Sequence, residues 1–296
     1  MGEGQITWDG HRTWFRVAGD IGASEKLPLV VLHGGPGAPS YYLNSLAELA
    51  DTGRPVVLYD QLGCGRSDRV PDAPSDFWTI DLFKRELTTL LDELGIAGGY
   101  HLYGQSWGGM LALEHALTKP SGLKSLILAN SLASTALWIS EAKRLVADLP
   151  DDVQATLERH EADGTTESDE YTEAMLIFYA RHLCRIDPFP DDLMQTFGAL
   201  MEDNRVYASM WGPSEFTCTG SLGTWDVTAR LSEIDVPTLI LSGRYDEATP
   251  AVVQPLHDGI AGSEWVVLEN SSHSSHVEEK ELTHRLVGEF LARVEA

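Results

Sequence analysis

An α/β protein with a mostly parallel central sheet and an inserted helical segment is the fold class this sequence predicts, on three observations. Apolar runs of the buried-strand kind alternate with helix-like segments through the first part of the chain. The alternation stops after Asn130, and from about Ser134 to Met210 only amphipathic helical patterns follow. A Gly-x-Ser-x-Gly turn, Gly104-Gln-Ser-Trp-Gly108, joins an apolar run to a helical pattern.

Two alternating segments, Gln5–Trp8 and Thr13–Val17, meet at Asp9-Gly10 and predict a hairpin. The runs Leu27–Leu32, Pro55–Tyr59, Tyr100–Tyr103 and Leu123–Ala129 predict buried parallel strands. Helical patterns at Phe77–Leu94 and Trp107–Leu117 supply the crossovers. In the helical segment, breaks fall at Asp163-Gly164 and Asp187-Pro-Phe-Pro190. Strand character returns at Pro237–Ser242 and Trp265–Glu269, followed by helical patterns at Ala251–Ile260 and Val277–Val294. The expected division is a core of residues 1–132 and 216–296 with a helical cap of residues 133–215. Such a cap covers the C-terminal edge of the sheet, where open α/β sheets bind ligands.

Composition narrows the function. The 296 residues are 43% hydrophobic, enough for a large core. Against 45 Asp and Glu stand 21 Lys and Arg, a net charge of −24, which excludes nucleic acid and anionic membranes as expected partners. Cys64, Cys184 and Cys218 are too few and scattered for a disulfide framework or a thiolate metal site, so neither metal nor cofactor is expected. The N-terminus lacks a signal core, and no apolar run approaches the roughly 20 residues of a membrane span, so a cytoplasmic protein is expected.

A serine on a strand-to-helix elbow projects its hydroxyl from a strained turn, and the small neighbours let strand and helix approach. Ser106 then needs a base, an orienting acid and an oxyanion hole. On such elbows the partners follow in the order Ser, Asp or Glu, His. Asp246 sits in the loop after the Pro237–Ser242 strand, whereas Asp226 and Asp235 precede it and are expected to face the wrong edge or the cap. Of four downstream histidines, His257 and His284 fall in helical patterns; His273 and His276 share the loop after the last strand. His273 lies nearer the strand end and is the expected base; His276 borders the following helix. One oxyanion donor is expected from the Trp107 N–H at a helix start, the other from Gly35 in His33-Gly-Gly-Pro-Gly37. No Gly-Lys-Ser/Thr follows that loop, so it is not a phosphate-binding loop.

The motifs His33–Gly37, Asp60-Gln-Leu-Gly-Cys-Gly-Arg-Ser-Asp68, Gly104–Gly109, Gly212-Pro-Ser-Glu-Phe216 and Tyr245-Asp-Glu247 together resemble the proline iminopeptidase family of α/β-hydrolases. That family includes tricorn-interacting aminopeptidases and L-amino-acid amide hydrolases, and the resemblance spans nearly the whole chain. It implies the α/β-hydrolase fold and a serine exopeptidase that removes an N-terminal residue, often proline, from substrates with a free amine. Its triad falls on Ser106, Asp246 and His273, and its amine-binding acids on Glu215 and Glu247. The charge logic agrees: an ammonium in a dry pocket loses its hydration, and fixed carboxylates replace it. The Asp60–Asp68 loop and Arg66 are expected to brace the oxyanion side, and Cys64 to be a packed residue. Trp107, Tyr207 and Trp211 are candidates for a compact side-chain pocket or for plain core. The expected substrate is a short peptide or an amino-acid amide. An amide hydrolase releasing ammonia shares every one of these residues; a carboxylesterase or a non-catalytic binding protein on the same fold are the more distant alternatives.

Overall fold

The structure is a computed structural model and describes residues 2–296. Eight strands, β1 (Gly2–Trp8), β2 (His11–Ala18), β3 (Leu29–Leu32), β4 (Val56–Tyr59), β5 (Tyr100–Gln105), β6 (Leu123–Ala129), β7 (Thr238–Gly243) and β8 (Glu264–Leu268), form one sheet. Their order is β1-β2-β4-β3-β5-β6-β7-β8. The β1–β2 and β2–β4 pairs are antiparallel, and every pair from β4 to β8 is parallel. Asp9 and Gly10 take φ of 45° and 82°, the paired left-handed residues of a tight hairpin turn. The hairpin reaches back to Gly2, paired with Val17, beyond the apolar alternation that marks it in the sequence.

Helices α1 (Ile80–Glu93) and α2 (Trp107–Ala116) lie in the crossovers of the first half, and α3 (Thr135–Val146), α4 (Asp151–Asp163), α5 (Asp169–His182), α6 (Asp191–Glu202) and α7 (Arg205–Met210) all fall between β6 and β7. α8 (Pro250–Gly259), the short α9 (Ser275–Glu278) and α10 (Lys280–Val294) complete the chain. Thr79 caps α1 by accepting from the Leu82 N–H at 3.2 Å, which starts the helix three residues after Phe77. Gly164, at φ 67°, ends α4 where the Asp163-Gly164 break is expected.

Strand alternation sorts the core into two layers. Val30 and Leu32 face the cluster built with α1, α2 and α8, while Leu29 and Val31 face the one built with α10 and a 3-10 helix at Ser40–Thr52. Each of these side chains is fully buried, worth roughly 1.5–3 kcal/mol apiece. The Ser40–Thr52 helix has no counterpart among the sequence expectations. It holds its place by inserting Leu43, Leu46 and Leu49 under the sheet. Among the described residues no helix is long and apolar enough to cross a membrane.

Candidate active site

Ser106 sits between β5 and α2 with φ 55° and ψ −122°, a conformation that costs a non-glycine residue energy. Its neighbours show why small residues flank it. A Cβ on Gly104 would run into the Gly108 backbone, and one on Gly108 would run into the Leu32 carbonyl of β3. The Ser131 hydroxyl donates to the Ser106 carbonyl at 2.8 Å and ties the elbow to the end of β6.

Two further loops at the same sheet edge bring in the acid and the base. Asp246 follows β7 and His273 follows β8, and His273 Nδ1 donates to Asp246 Oδ1 at 2.7 Å. Both residues are almost fully buried. The Ala248 N–H also donates to Asp246 Oδ1, at 2.8 Å, and Asn130 Nδ2 donates to Asp246 Oδ2 at 2.6 Å. With Nδ1 committed to the acid, Nε2 is the nitrogen left to face the cavity. Ser106 and His273 line that one cavity, and no hydrogen bond joins their side chains among the described residues. Such bonds often tighten only when substrate arrives.

Asn130 was not a sequence candidate. It takes φ 51°, donates also to the Ser272 carbonyl at 3.1 Å, and accepts from the Ser275 hydroxyl at 2.9 Å, so one amide links the loops after β6, β7 and β8. The His182 carbonyl at the end of α5 is equally unannounced. It accepts from the Glu247 and His273 N–H groups at 3.2 and 3.1 Å. The serines of the His273 loop are buried donors: Ser272 bonds Glu278 and Ser271 bonds Glu279. His276 is the second residue of α9. Its Nε2 donates to the Tyr42 carbonyl at 2.9 Å, and burial pushes its pKa down to about 4, so it is a neutral core residue.

Gly35, at φ 107°, lines the cavity, and Trp107 is the first residue of α2. Neither amide donates to a backbone acceptor among the described residues. Tyr42 holds the glycine loop: the Gly34 N–H donates to its hydroxyl at 2.8 Å, and that hydroxyl donates to Gln105 Oε1 at 2.5 Å. Gln61 links the glycine loop to the start of α2. It donates to the His33 carbonyl at 3.1 Å and accepts from Trp107 Nε1 at 2.8 Å. The Trp107 indole therefore points into the core, edge-on to Phe83, and does not wall the pocket.

Arg66 pairs with the buried Asp60 at 2.7 Å and lies 3.2 Å over the Trp14 ring, a bracing role rather than a substrate contact. Burial alone would raise the Asp60 pKa, but the Arg66 partner holds it below the ordinary range. Cys64 is buried 3.5 Å from His33 Nε2, and burial pushes its thiol pKa well up, in keeping with a packed core residue.

Glu215 and Glu247 line the cavity from opposite segments, the turn after α7 and the loop after β7. Tyr207 donates to Glu215 Oε1 at 2.7 Å, and Trp138 donates to the Glu215 carbonyl at 2.9 Å. Glu247 Oε1 is 3.7 Å from His273 Nε2, while its Oε2 is buried with no partner. Burial raises the pKa of both acids, and the Glu215 and Asp246 charges raise Glu247 further. Two carboxylates desolvated together, one with an orphaned oxygen, form a site that a cation relieves. Tyr207 lines the cavity, whereas Trp211 is core, stacked edge-on against Trp138, which stands edge-on to His273. No cluster of three or more His, Cys, Asp or Glu side chains is arranged for a metal ion among the described residues.

Eight strands in this order, an elbow serine, and an acid and base on the loops after β7 and β8 define the α/β-hydrolase class, and residues 28–280 match the profile of the alpha/beta hydrolase fold family. The proline iminopeptidase of Heyndrickxia coagulans is 40% identical over 98% of both chains. Among solved structures, VinJ is 49% identical with a TM-score of 0.97, each chain covered to 99%. The proline iminopeptidase of Mycobacterium smegmatis is 42% identical with a TM-score of 0.91, covering 99% of this chain and 98% of the other. This chain belongs to the proline iminopeptidase family of α/β-hydrolases.

Proposed function

We propose that the protein is a serine aminopeptidase that releases an N-terminal amino acid, proline favoured, from short peptides or amino-acid amides through an acyl-enzyme. The observation that carries this reading is one cavity lined by Ser106, by His273 bonded to Asp246, and by two desolvated acids, Glu215 and Glu247. The names of the relatives supply the preference for proline.

His273 Nε2 takes the Ser106 proton as Oγ attacks the carbonyl of the first residue. The Gly35 and Trp107 N–H groups hold the tetrahedral oxyanion. Asp246 keeps the imidazole in the tautomer that exposes Nε2 and stabilises the imidazolium. His273 then hands the proton to the leaving amine, and water attacks the acyl-enzyme by the reverse path. Glu215 and Glu247 bind the substrate ammonium, replacing its lost hydration and rejecting blocked amino ends. In the same reading α3–α7 belong to a cap, residues 133–215, over a core of residues 1–132 and 216–296; the carbonyl of His182 supports a cap that also positions Glu247 and His273.

A fluorophosphonate probe tests the nucleophile. One adduct per chain on Ser106, lost in Ser106→Ala, is expected; labelling that survives the substitution contradicts the assignment.

A further inference from the structure

Two consecutive acids after β7, Asp246 and Glu247, meet the same imidazole at its two nitrogens. Asp246 Oδ1 accepts from His273 Nδ1 at 2.7 Å, while Glu247 Oε1 lies 3.7 Å from Nε2, at ion-pair distance. Nε2 is the nitrogen that takes the Ser106 proton in the mechanism above. Among the described residues its one ion-pair or hydrogen-bond contact is with Glu247.

The backbone builds this juxtaposition. The His182 carbonyl accepts from the Glu247 N–H at 3.2 Å and from the His273 N–H at 3.1 Å, so the loops after β7 and β8 are pinned side by side. Trp138 stands edge-on to the His273 ring, centroid to centroid 5.8 Å, and limits its rotation. Glu247 is buried, and its second oxygen has no partner. Burial, and then the charges of Glu215 and Asp246, raise its pKa well above the ordinary range, so with no cation beside it the acid keeps its proton. A protonated carboxyl is a donor, and the Nε2 lone pair is the acceptor within reach.

A substrate ammonium reverses this. Held between Glu215 and Glu247, it favours the carboxylate of each and removes the hydrogen that Glu247 offers to Nε2. That proton passes to the entering amine when the substrate arrives as the free base, and to water when it arrives as the ammonium.

We propose that Glu247 gates the base: with the amine subsite empty it occupies His273 Nε2, and an ammonium draws it away and frees that nitrogen for Ser106. This rests on the free-amine hydrolase reading above and adds to it. A clamp that only binds makes an amine-free substrate weak. A gate makes the enzyme slow whenever the amine subsite is empty, and lets a separate cation restore the rate.

The test substrate is p-nitrophenyl acetate, which has no amine, with pyrrolidinium ion at pH 7 as the separate cation and the enzyme-free rate subtracted. Saturating pyrrolidinium should raise the wild-type kcat/KM about tenfold or more, a modest share of what a positioned base supplies. Glu247→Ala, which has no hydrogen to offer Nε2, should show the higher ester rate without pyrrolidinium and no response to it, while losing turnover of prolyl p-nitroanilide. Glu215→Gln leaves the neighbour of Nε2 in place, so it should keep the low basal ester rate and need more pyrrolidinium for the same rise. Thermal melts confirm that each variant is folded. An ester rate raised by neither pyrrolidinium nor Glu247→Ala overturns the gate, and so does an equal basal rise in Glu215→Gln. In those cases wild-type turnover of prolyl p-nitroanilide leaves the parent reading standing; absence of that turnover refutes both.

Discussion

At the scale of single residues, the proposed triad acid is held from several sides. Asp246 accepts from His273, Ala248 and Asn130, and Asn130 alone ties three loops together. A hydrogen bond to a charged group is worth roughly 1.5–3 kcal/mol. Asn130→Ala should therefore lower kcat about ten- to a hundredfold with KM little changed, because the residue is one step removed from substrate; steady-state kinetics on prolyl p-nitroanilide give the split. Glu215→Gln and Glu247→Gln should behave differently. Each removes a carboxylate from the proposed ammonium site, so KM should rise and kcat/KM fall about tenfold or more on free-amine substrates; kinetics equal to wild type would count against that role. The pairing of His273 with Asp246, and the shared cavity of His273 and Ser106, were legible in the sequence because an elbow motif, strand ends and chain order converge on these residues. Asn130, Gln61 and the His182 carbonyl were not. The first two are lone amides without a motif, and a backbone carbonyl carries no side-chain signature at all.

Among the secondary-structure elements, the junction of β5 and α2 sets the geometry. α2 passes so close to β3 that only a residue without Cβ fits at 108. Gly108→Ala must push the helix away from the Leu32 carbonyl, shifting the Trp107 N–H and the Ser106 turn with it. A stability loss of about 3 kcal/mol or more, read by urea denaturation, should accompany loss of activity; native stability would show that the helix can retreat at little cost. The strands were readable because they are short, apolar and period-two, and the helical segment because the period changes after Asn130. The Ser40–Thr52 helix was not, since 13 residues of 3-10 structure break the 3.6-residue repeat that marks an α-helix. Trp107 was read as a possible pocket wall from its position beside the nucleophile. Its indole turns inward because a first-turn residue of α2 faces α1 and Gln61 offers it an acceptor.

For the whole molecule, one buried acid outside the cavity couples stability to pH. Glu86 on α1 is fully buried, accepting from Thr13 at 2.5 Å and from the Leu62 N–H at 2.8 Å, with Oε2 unpartnered. Burial pushes its pKa up to about 8 from an ordinary value of 4.5, so the folded chain keeps a proton that the unfolded chain releases. Between those two values the native state binds more protons, and its stability falls as pH rises, by up to about 1.4 kcal/mol per pH unit. Glu86→Gln, which retains the acceptor oxygen, should flatten that slope and raise the melting temperature at pH 8 more than at pH 5; equal shifts at both would contradict the account. The central claim concerns the cavity as a unit, a serine nucleophile that works only on a substrate whose ammonium meets Glu215 and Glu247. Its most direct test is the ratio of kcat/KM for prolyl p-nitroanilide over N-acetylprolyl p-nitroanilide on the wild-type enzyme. A ratio of about a thousand or more, collapsing when both acids are replaced by glutamine, is the predicted result; equal hydrolysis of the two anilides would contradict it.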